Sequence, residues 1–157
     1  MKIKLTLNGK ATTADVPANH LLSDFLRDHM RLTGTHVGCD TSQCGACTIL
    51  LDGKPVKSCS LLVVQVDGCA ITTIEGLADG DRLHPMQQAF KDHHGLQCGY
   101  CTPGMVMTAL GIVDRHGLRL DEDLIARELD GNLCRCTGYR NIIKAVKAGA
   151  EAMNEGK

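Results

Sequence analysis

A chain of 157 residues with 43% apolar content suits one ordinary domain or two small ones, each with a packed core. The formal charge of −1 offers no basic patch, which sets nucleic acid aside as a partner, and no run of 18 apolar residues offers a transmembrane segment. With two Tyr, two Phe and no Trp, the cores must come from Leu, Ile, Val, Met and Ala, and something besides aromatic packing must organise the backbone.

Ile3, Leu5 and Leu7 face one way and Lys2, Lys4 and Thr6 the other, which is strand periodicity and unlike the continuous apolar stretch of a secretory signal. Asn8-Gly9 suits the positive φ angles of a hairpin turn, and a second strand is predicted from about Lys10 to Val16. Leu21, Leu22, Phe25, Leu26 and Met30 recur at helical spacing and stop before Thr33-Gly34. A Gly- and Cys-rich loop fills 34–47. Short strands follow near Thr48–Leu51 and Pro55–Ser58, joined at Asp52-Gly53, with further strands predicted at Val63–Val66 and Ala70–Ile74.

Gly76, Gly80 and their acidic neighbours make a linker of Glu75–Arg82, and the remainder is helical. Met86–Asp92 is the first predicted helix. Thr102-Pro103 opens the second, with a hydroxyl N-cap and Pro at the first helical position, and it runs to near Gly117. Asp121 caps a third that ends at Gly131, and Ile142, Ile143, Val146, Ala150 and Met153 mark a fourth. The expected fold class is α+β, with domains at 1–76 and 83–157.

Nine cysteines without an export signal point to a reducing compartment, the cytoplasm, where clustered Cys binds metal more often than it forms disulfides. Cys39, Cys44, Cys47 and Cys59 have the plant-type [2Fe–2S] spacing, C-x4-C-x2-C followed by a distant fourth ligand. Gly38, Gly45, Ala46 and Ser42 are small enough to let a wrapping loop aim N–H groups at sulfur. Structural zinc prefers paired short spacings and ranks well behind. Cys98, Cys101, Cys134 and Cys136 form two close pairs, each at a helix–turn–helix bend, and would meet if the two bends face each other. By themselves these four suit tetrahedral zinc as well as a second [2Fe–2S] core. Eight thiolates and two oxidised cores would move the net charge from −1 to about −5. Cys69 is left over as a small buried residue, and the seven histidines are expected in solvated or capping roles. Arg135 is expected to pair with a carboxylate or a partner chain. No dinucleotide or Walker motif appears, so flavin, nicotinamide and nucleotide sites are not expected on this chain.

The segments Gly38-Cys39-Asp40-Thr41-Ser42-Gln43-Cys44-Gly45-Ala46-Cys47-Thr48, Gln97-Cys98-Gly99-Tyr100-Cys101-Thr102-Pro103-Gly104 and Gly131-Asn132-Leu133-Cys134-Arg135-Cys136-Thr137-Gly138-Tyr139 resemble the signatures of the molybdenum hydroxylase (xanthine oxidase) family. From end to end the chain is similar to the iron–sulfur small subunit of such enzymes, as in carbon monoxide dehydrogenase. The resemblance implies a ferredoxin-like (β-grasp) domain followed by a four-helix domain, and two [2Fe–2S] clusters. It also implies a large molybdopterin-binding subunit and an FAD-binding subunit as partners, and the expected complex is a dimer of heterotrimers. Electrons would run from molybdenum to the C-terminal cluster, then the N-terminal cluster, then FAD, and Gln97 and Cys136 would lie beside the pterin. The chain itself is expected to perform no bond chemistry, and the substrate (carbon monoxide, aldehyde, purine, N-heterocycle or aromatic thioester) is set elsewhere. A freestanding two-cluster ferredoxin-type carrier, and a single cluster with a zinc-stapled docking module, stay open as alternatives.

Overall fold

The computed structural model describes residues 1–155. Strand β1 (Lys2–Leu7) pairs antiparallel with β2 (Lys10–Asp15), Leu7 opposite Lys10, around Asn8 and Gly9 at φ +48° and +77°. Strands β3 (Thr48–Leu51) and β4 (Lys54–Lys57) form a second hairpin around Asp52-Gly53. Strand β5 (Ala70–Thr72) lies between the hairpins, parallel to β1 and antiparallel to β3, giving the order β2-β1-β5-β3-β4. A short helix, α1 (Leu22–Asp24), continues into a π-helical turn (Phe25–His29) and buries Leu22, Phe25 and Leu26 among Ile3, Leu5, Ile49 and Ile71. Apolar residues from alternate positions of the strands and one face of the turn therefore close one core.

Two strand expectations are corrected. Val63–Val66 is a 3-10 turn: Val63 and Val66 stand three apart, both fully buried, which is the 3-10 repeat, and Gln65 Oε1 accepts the Leu62 N–H at 2.8 Å. The last strand stops at Thr72, and Ile74–Gly76 is a further 3-10 turn. An apolar β-branched run satisfies both patterns locally, so burial at both ends decided between them.

Helix α2 (Pro85–Asp92) is capped by His84, whose Nδ1 accepts the Met86 N–H at 3.1 Å while Gln87 Oε1 accepts the His84 N–H at 3.0 Å. Helix α3 (Thr102–His116) begins one residue earlier than expected. Cys101 holds the cap position, and the Thr102 hydroxyl caps nothing. Asp121 Oδ1 accepts the Leu124 N–H at 2.7 Å and caps α4 (Glu122–Glu128); α5 (Arg140–Glu155) closes the fold. Met86 and Phe90 of α2 pack with Ile142, Ala145, Val146 and Ala150 of α5 and with Met105, Val106 and Ala109 of α3 in a second core. Helix α3 also lies on the β3–β4 hairpin, and Gly111 is so close that a Cβ there would meet Pro55 Cγ at 2.3 Å. Among the described residues no helix is long and apolar enough to cross a membrane.

Candidate metal centres

The loop before β3 and the β3–β4 hairpin bring the first four cysteines together. Pairing of Thr48 with Lys57 sets Cys47 beside Ser58, whose N–H and hydroxyl donate to the Cys47 carbonyl at 3.2 and 2.9 Å, and so beside Cys59. Both thiols are buried, and burial pushes Cys47 up to about 11, opposed by the Cys59 N–H and reinforced by the Cys59 thiol. Cys39 goes the other way, to about 6, because backbone N–H groups of Cys44, Thr41 and Gln43 face its sulfur. The Cys44 N–H reaches Cys39 Sγ at 3.4 Å. Positive φ at Ser42 (+59°) and Gly45 (+71°) turns the loop so that its amides point inward.

The second four come from two turns that do face each other. Cys98 and Cys101 precede α3, Cys134 and Cys136 precede α5, and Cys136 Sγ lies 3.5 Å from Cys98 Sγ. Cys101 pairs with Cys134, and burial followed by that neighbour pushes Cys101 up to about 12. Burial opposes ionisation of Cys134 too. There the Thr137 hydroxyl, 3.1 Å from the sulfur, and the Thr137 and Cys136 N–H groups outweigh it and hold the thiol below its ordinary range. Tyr139 fixes this turn: its hydroxyl accepts the Cys134 N–H at 2.8 Å and donates to the Asn132 carbonyl at 3.0 Å.

The two sets touch. The Leu133 N–H donates to the Cys44 carbonyl at 2.8 Å, and the buried Asn132 Nδ2 donates to the Gly45 carbonyl at 3.1 Å. Gly45 and Gly104 make this possible: a Cβ on Gly104 would stand 2.2 Å from the Gly45 oxygen, and one on Gly45 would stand 2.4 Å from the Gly131 oxygen. His36 stacks on Tyr100 at 4.5 Å and hydrogen-bonds its carbonyl, while the Tyr100 hydroxyl donates to the Val37 carbonyl. A cavity of about 260 Å³ lies between Gly38, Cys44 and Ala46 on one side and the second cysteine set on the other.

This donor chemistry fits two dinuclear iron–sulfur cores. The thiols come in twos, Cys39 with Cys44, Cys47 with Cys59, Cys98 with Cys136 and Cys101 with Cys134. Among the described residues no three donors converge on one metal-ion position. The Thr102 hydroxyl, next to Cys101, is buried without an acceptor, a loss of about 1–3 kcal/mol that an acceptor on a bound cluster would offset.

Cys69 stands apart at the edge of β5. It is half-buried rather than buried, and desolvation and Asp52 push its thiol up. Arg135 is exposed and forms no ion pair among the described residues. Gln97 and Cys136 are exposed on the rim of the second set, beside Leu96, Tyr100 and Leu133 at 38%, 49% and 60% exposure. Spacing and periodicity assign no contact to Asn132, His36 or Tyr100, although Asn132 and Tyr100 lie in the family-like segments, since each acts across a long stretch of chain. Tyr139 could have been found: a Tyr between Gly138 and a helix start beside clustered Cys needs a partner for its hydroxyl.

Residues 5–72 match the 2Fe-2S iron-sulfur cluster binding domain family, and residues 73–147 match the [2Fe-2S] binding domain family. The second match answers the zinc alternative for the C-terminal half. The chain is 54% identical to the caffeine dehydrogenase subunit gamma of Pseudomonas sp. (strain CBB1), over 93% of this chain and 89% of that one. It is 47% identical to the nicotine 6-hydroxylase small subunit of Paenarthrobacter nicotinovorans, over 93% and 87%. Among solved structures, quinoline 2-oxidoreductase from Pseudomonas putida 86 superposes with a TM-score of 0.94 at 46% identity, over 99% and 97% of the two chains. Aldehyde oxidoreductase from Desulfovibrio gigas gives 0.93 at 41%, over all of this chain and 18% of the other.

Proposed function

The chain belongs to the iron–sulfur small subunits of the molybdenum hydroxylase family, and from that membership we propose that it relays electrons from the molybdopterin site of a large partner subunit, through two [2Fe–2S] clusters, to FAD on another partner. When bound, each cluster supplies a one-electron store whose potential the surrounding hydrogen bonds adjust. We assign Cys39, Cys44, Cys47 and Cys59 to the cluster nearer FAD and Cys98, Cys101, Cys134 and Cys136 to the cluster nearer molybdenum, with Gln97 and Cys136 beside the pterin. The domain division at 1–76 and 83–157, a cytoplasmic location and assembly as a dimer of heterotrimers belong to the same reading.

One observation carries it: the hydrogen bond from Leu133 N–H to the Cys44 carbonyl links a residue of one thiol set to the neighbour of a residue of the other. Bonded and hydrogen-bonded atoms thus run from set to set without a solvent gap. The exposed apolar rim of Leu96, Tyr100 and Leu133 around Cys98 and Cys136 supports a covering partner at that end, which a freestanding carrier would not need. Subunit terms in the relatives' names support an assembly of several chains.

Reductive titration followed by EPR tests this. Two distinct [2Fe–2S] signals are expected, and Cys134→Ser should remove one and leave the other. About two irons per chain in place of about four, or zinc, would overturn the reading.

A further inference from the structure

We propose that Lys57 raises the reduction potential of the N-terminal centre by polarising the two peptide groups whose N–H bonds face Cys39. The inference rests on the assignment of Cys39 to a [2Fe–2S] cluster made above. Lys57 ends β4, two residues before Cys59, and its side chain is half-buried. Its Nζ donates to the Ser42 carbonyl at 2.6 Å and reaches the Gln43 carbonyl at 3.5 Å.

Those two carbonyls belong to particular peptide units. In a planar trans peptide the C=O and the following N–H point in opposite directions. The unit that offers the Ser42 oxygen to Lys57 therefore turns the Gln43 N–H the other way, and the unit that offers the Gln43 oxygen does the same with the Cys44 N–H. The Cys44 N–H donates to the Cys39 sulfur at 3.4 Å, and the Gln43 N–H faces the same sulfur and adds a smaller stabilisation of its thiolate. Lys57 thus sits at the far end of two dipoles aimed at one sulfur. An ammonium on a carbonyl strengthens the same unit's N–H as a donor, since chained hydrogen bonds polarise one another.

The charge itself acts in the same direction. Among the described residues Lys57 joins no ion pair, so no carboxylate neutralises it. Taking up an electron makes the cluster one unit more negative, and a fixed cation behind aligned amides favours that state. Ser42 at φ +59° is the turn that presents its carbonyl outward to the lysine. Lys57 is on the strand facing Thr48, so the hairpin fixes where the ammonium can reach. A purely mechanical tie for the loop would need a donor at this point but no charge.

The test is an EPR-monitored redox titration of the holo complex carrying wild-type chain, Lys57→Met or Lys57→Arg. Lys57→Met should lower the reduced-to-oxidised ratio of the N-terminal cluster at least tenfold at fixed potential, about 59 mV for a one-electron couple. Lys57→Arg should keep the wild-type value, and the C-terminal cluster should not move in either. A Lys57→Met cluster that titrates at the wild-type potential overturns the proposal, as does an equal shift of both clusters. Should Lys57→Met fail to hold the cluster, Lys57→Gln, a neutral donor, carries the same readout. Loss of the signal in both neutral variants with retention in Lys57→Arg would make Lys57 a loop anchor and also overturn it. Absence of a second [2Fe–2S] signal in the wild type would instead refute the relay assignment.

Discussion

Gly104→Ala sets local propensity against the contact between the two halves. In an unobstructed helix the change stabilises by about 1 kcal/mol, because Ala loses less backbone entropy than Gly. Here the new Cβ would stand 2.2 Å from the Gly45 oxygen and 3.1 Å from both the Cα and the oxygen of Ala46, all of them backbone atoms. An ordinary carbon–oxygen contact needs about 3.3 Å, so the surfaces must part by about 1 Å. The Gly45 carbonyl cannot retreat freely, since it accepts from Thr48 N, Thr48 Oγ1 and Asn132 Nδ2. Parting by that distance would carry the 3.1 Å Asn132 bond and the 2.8 Å Leu133–Cys44 bond beyond hydrogen-bond range. Two bonds at about 1 kcal/mol each and about 1–3 kcal/mol of overpacking outweigh the propensity gain, leaving about 2–4 kcal/mol of destabilisation. For a chain of this size that lowers the midpoint of thermal unfolding by about 5–15 °C, to be measured by calorimetry on the loaded protein. A midpoint that stays level or rises would refute the close backbone contact between α3 and the first cysteine loop.

Tyr139→Phe removes the acceptor of the Cys134 N–H and the donor to the Asn132 carbonyl, and should destabilise by about 1–3 kcal/mol in denaturant unfolding while altering the C-terminal EPR signal alone. Glu128 is held below the usual carboxylate range chiefly by its hydrogen bond to Arg115, with His116 Nε2 at 3.2 Å contributing. Because its folded pKa is depressed, the stability it contributes is present above the ordinary carboxylate pKa and is lost as pH falls through the folded value. Glu128→Gln should therefore be less stable than wild type by about 0.5–1 kcal/mol near pH 6, with the gap closing below about pH 4 in a series of thermal melts.

Short-range features were readable. Alternation at Ile3, Leu5 and Leu7, Asn-Gly and Asp-Gly turns, and the Asp121 cap each state their conformation within a few residues, and the structure agrees. Grouping the cysteines by spacing also put together thiols that are neighbours in space. What was hidden lies between distant segments. Asn132 reaches Gly45 across 87 residues, and nothing near either position announces it. Asn8 was read as a turn residue, yet its side chain also binds the Thr73 N–H and hydroxyl at 2.8 and 3.0 Å, tying the first hairpin to the start of the linker. The Thr102 hydroxyl looked like a cap because Pro103 follows. The helix instead starts at Thr102, and Cys101 takes the cap position.

The position of β5 bears on how the chain is made. It is the central strand of the sheet and the last of the five to be synthesised, joining Thr6 to Ala70 and Leu50 to Thr72. Until residue 72 has left the ribosome, the sheet can exist only as two separate hairpins, and isolated hairpins are marginal in water. Such long-range closure is the slow kind of folding step, whereas the helices that follow are rich in local contacts. The hairpin flanked by Cys47 and Cys59 is therefore gathered to the rest of its sheet late, and the segment that completes it leads directly into the helical half.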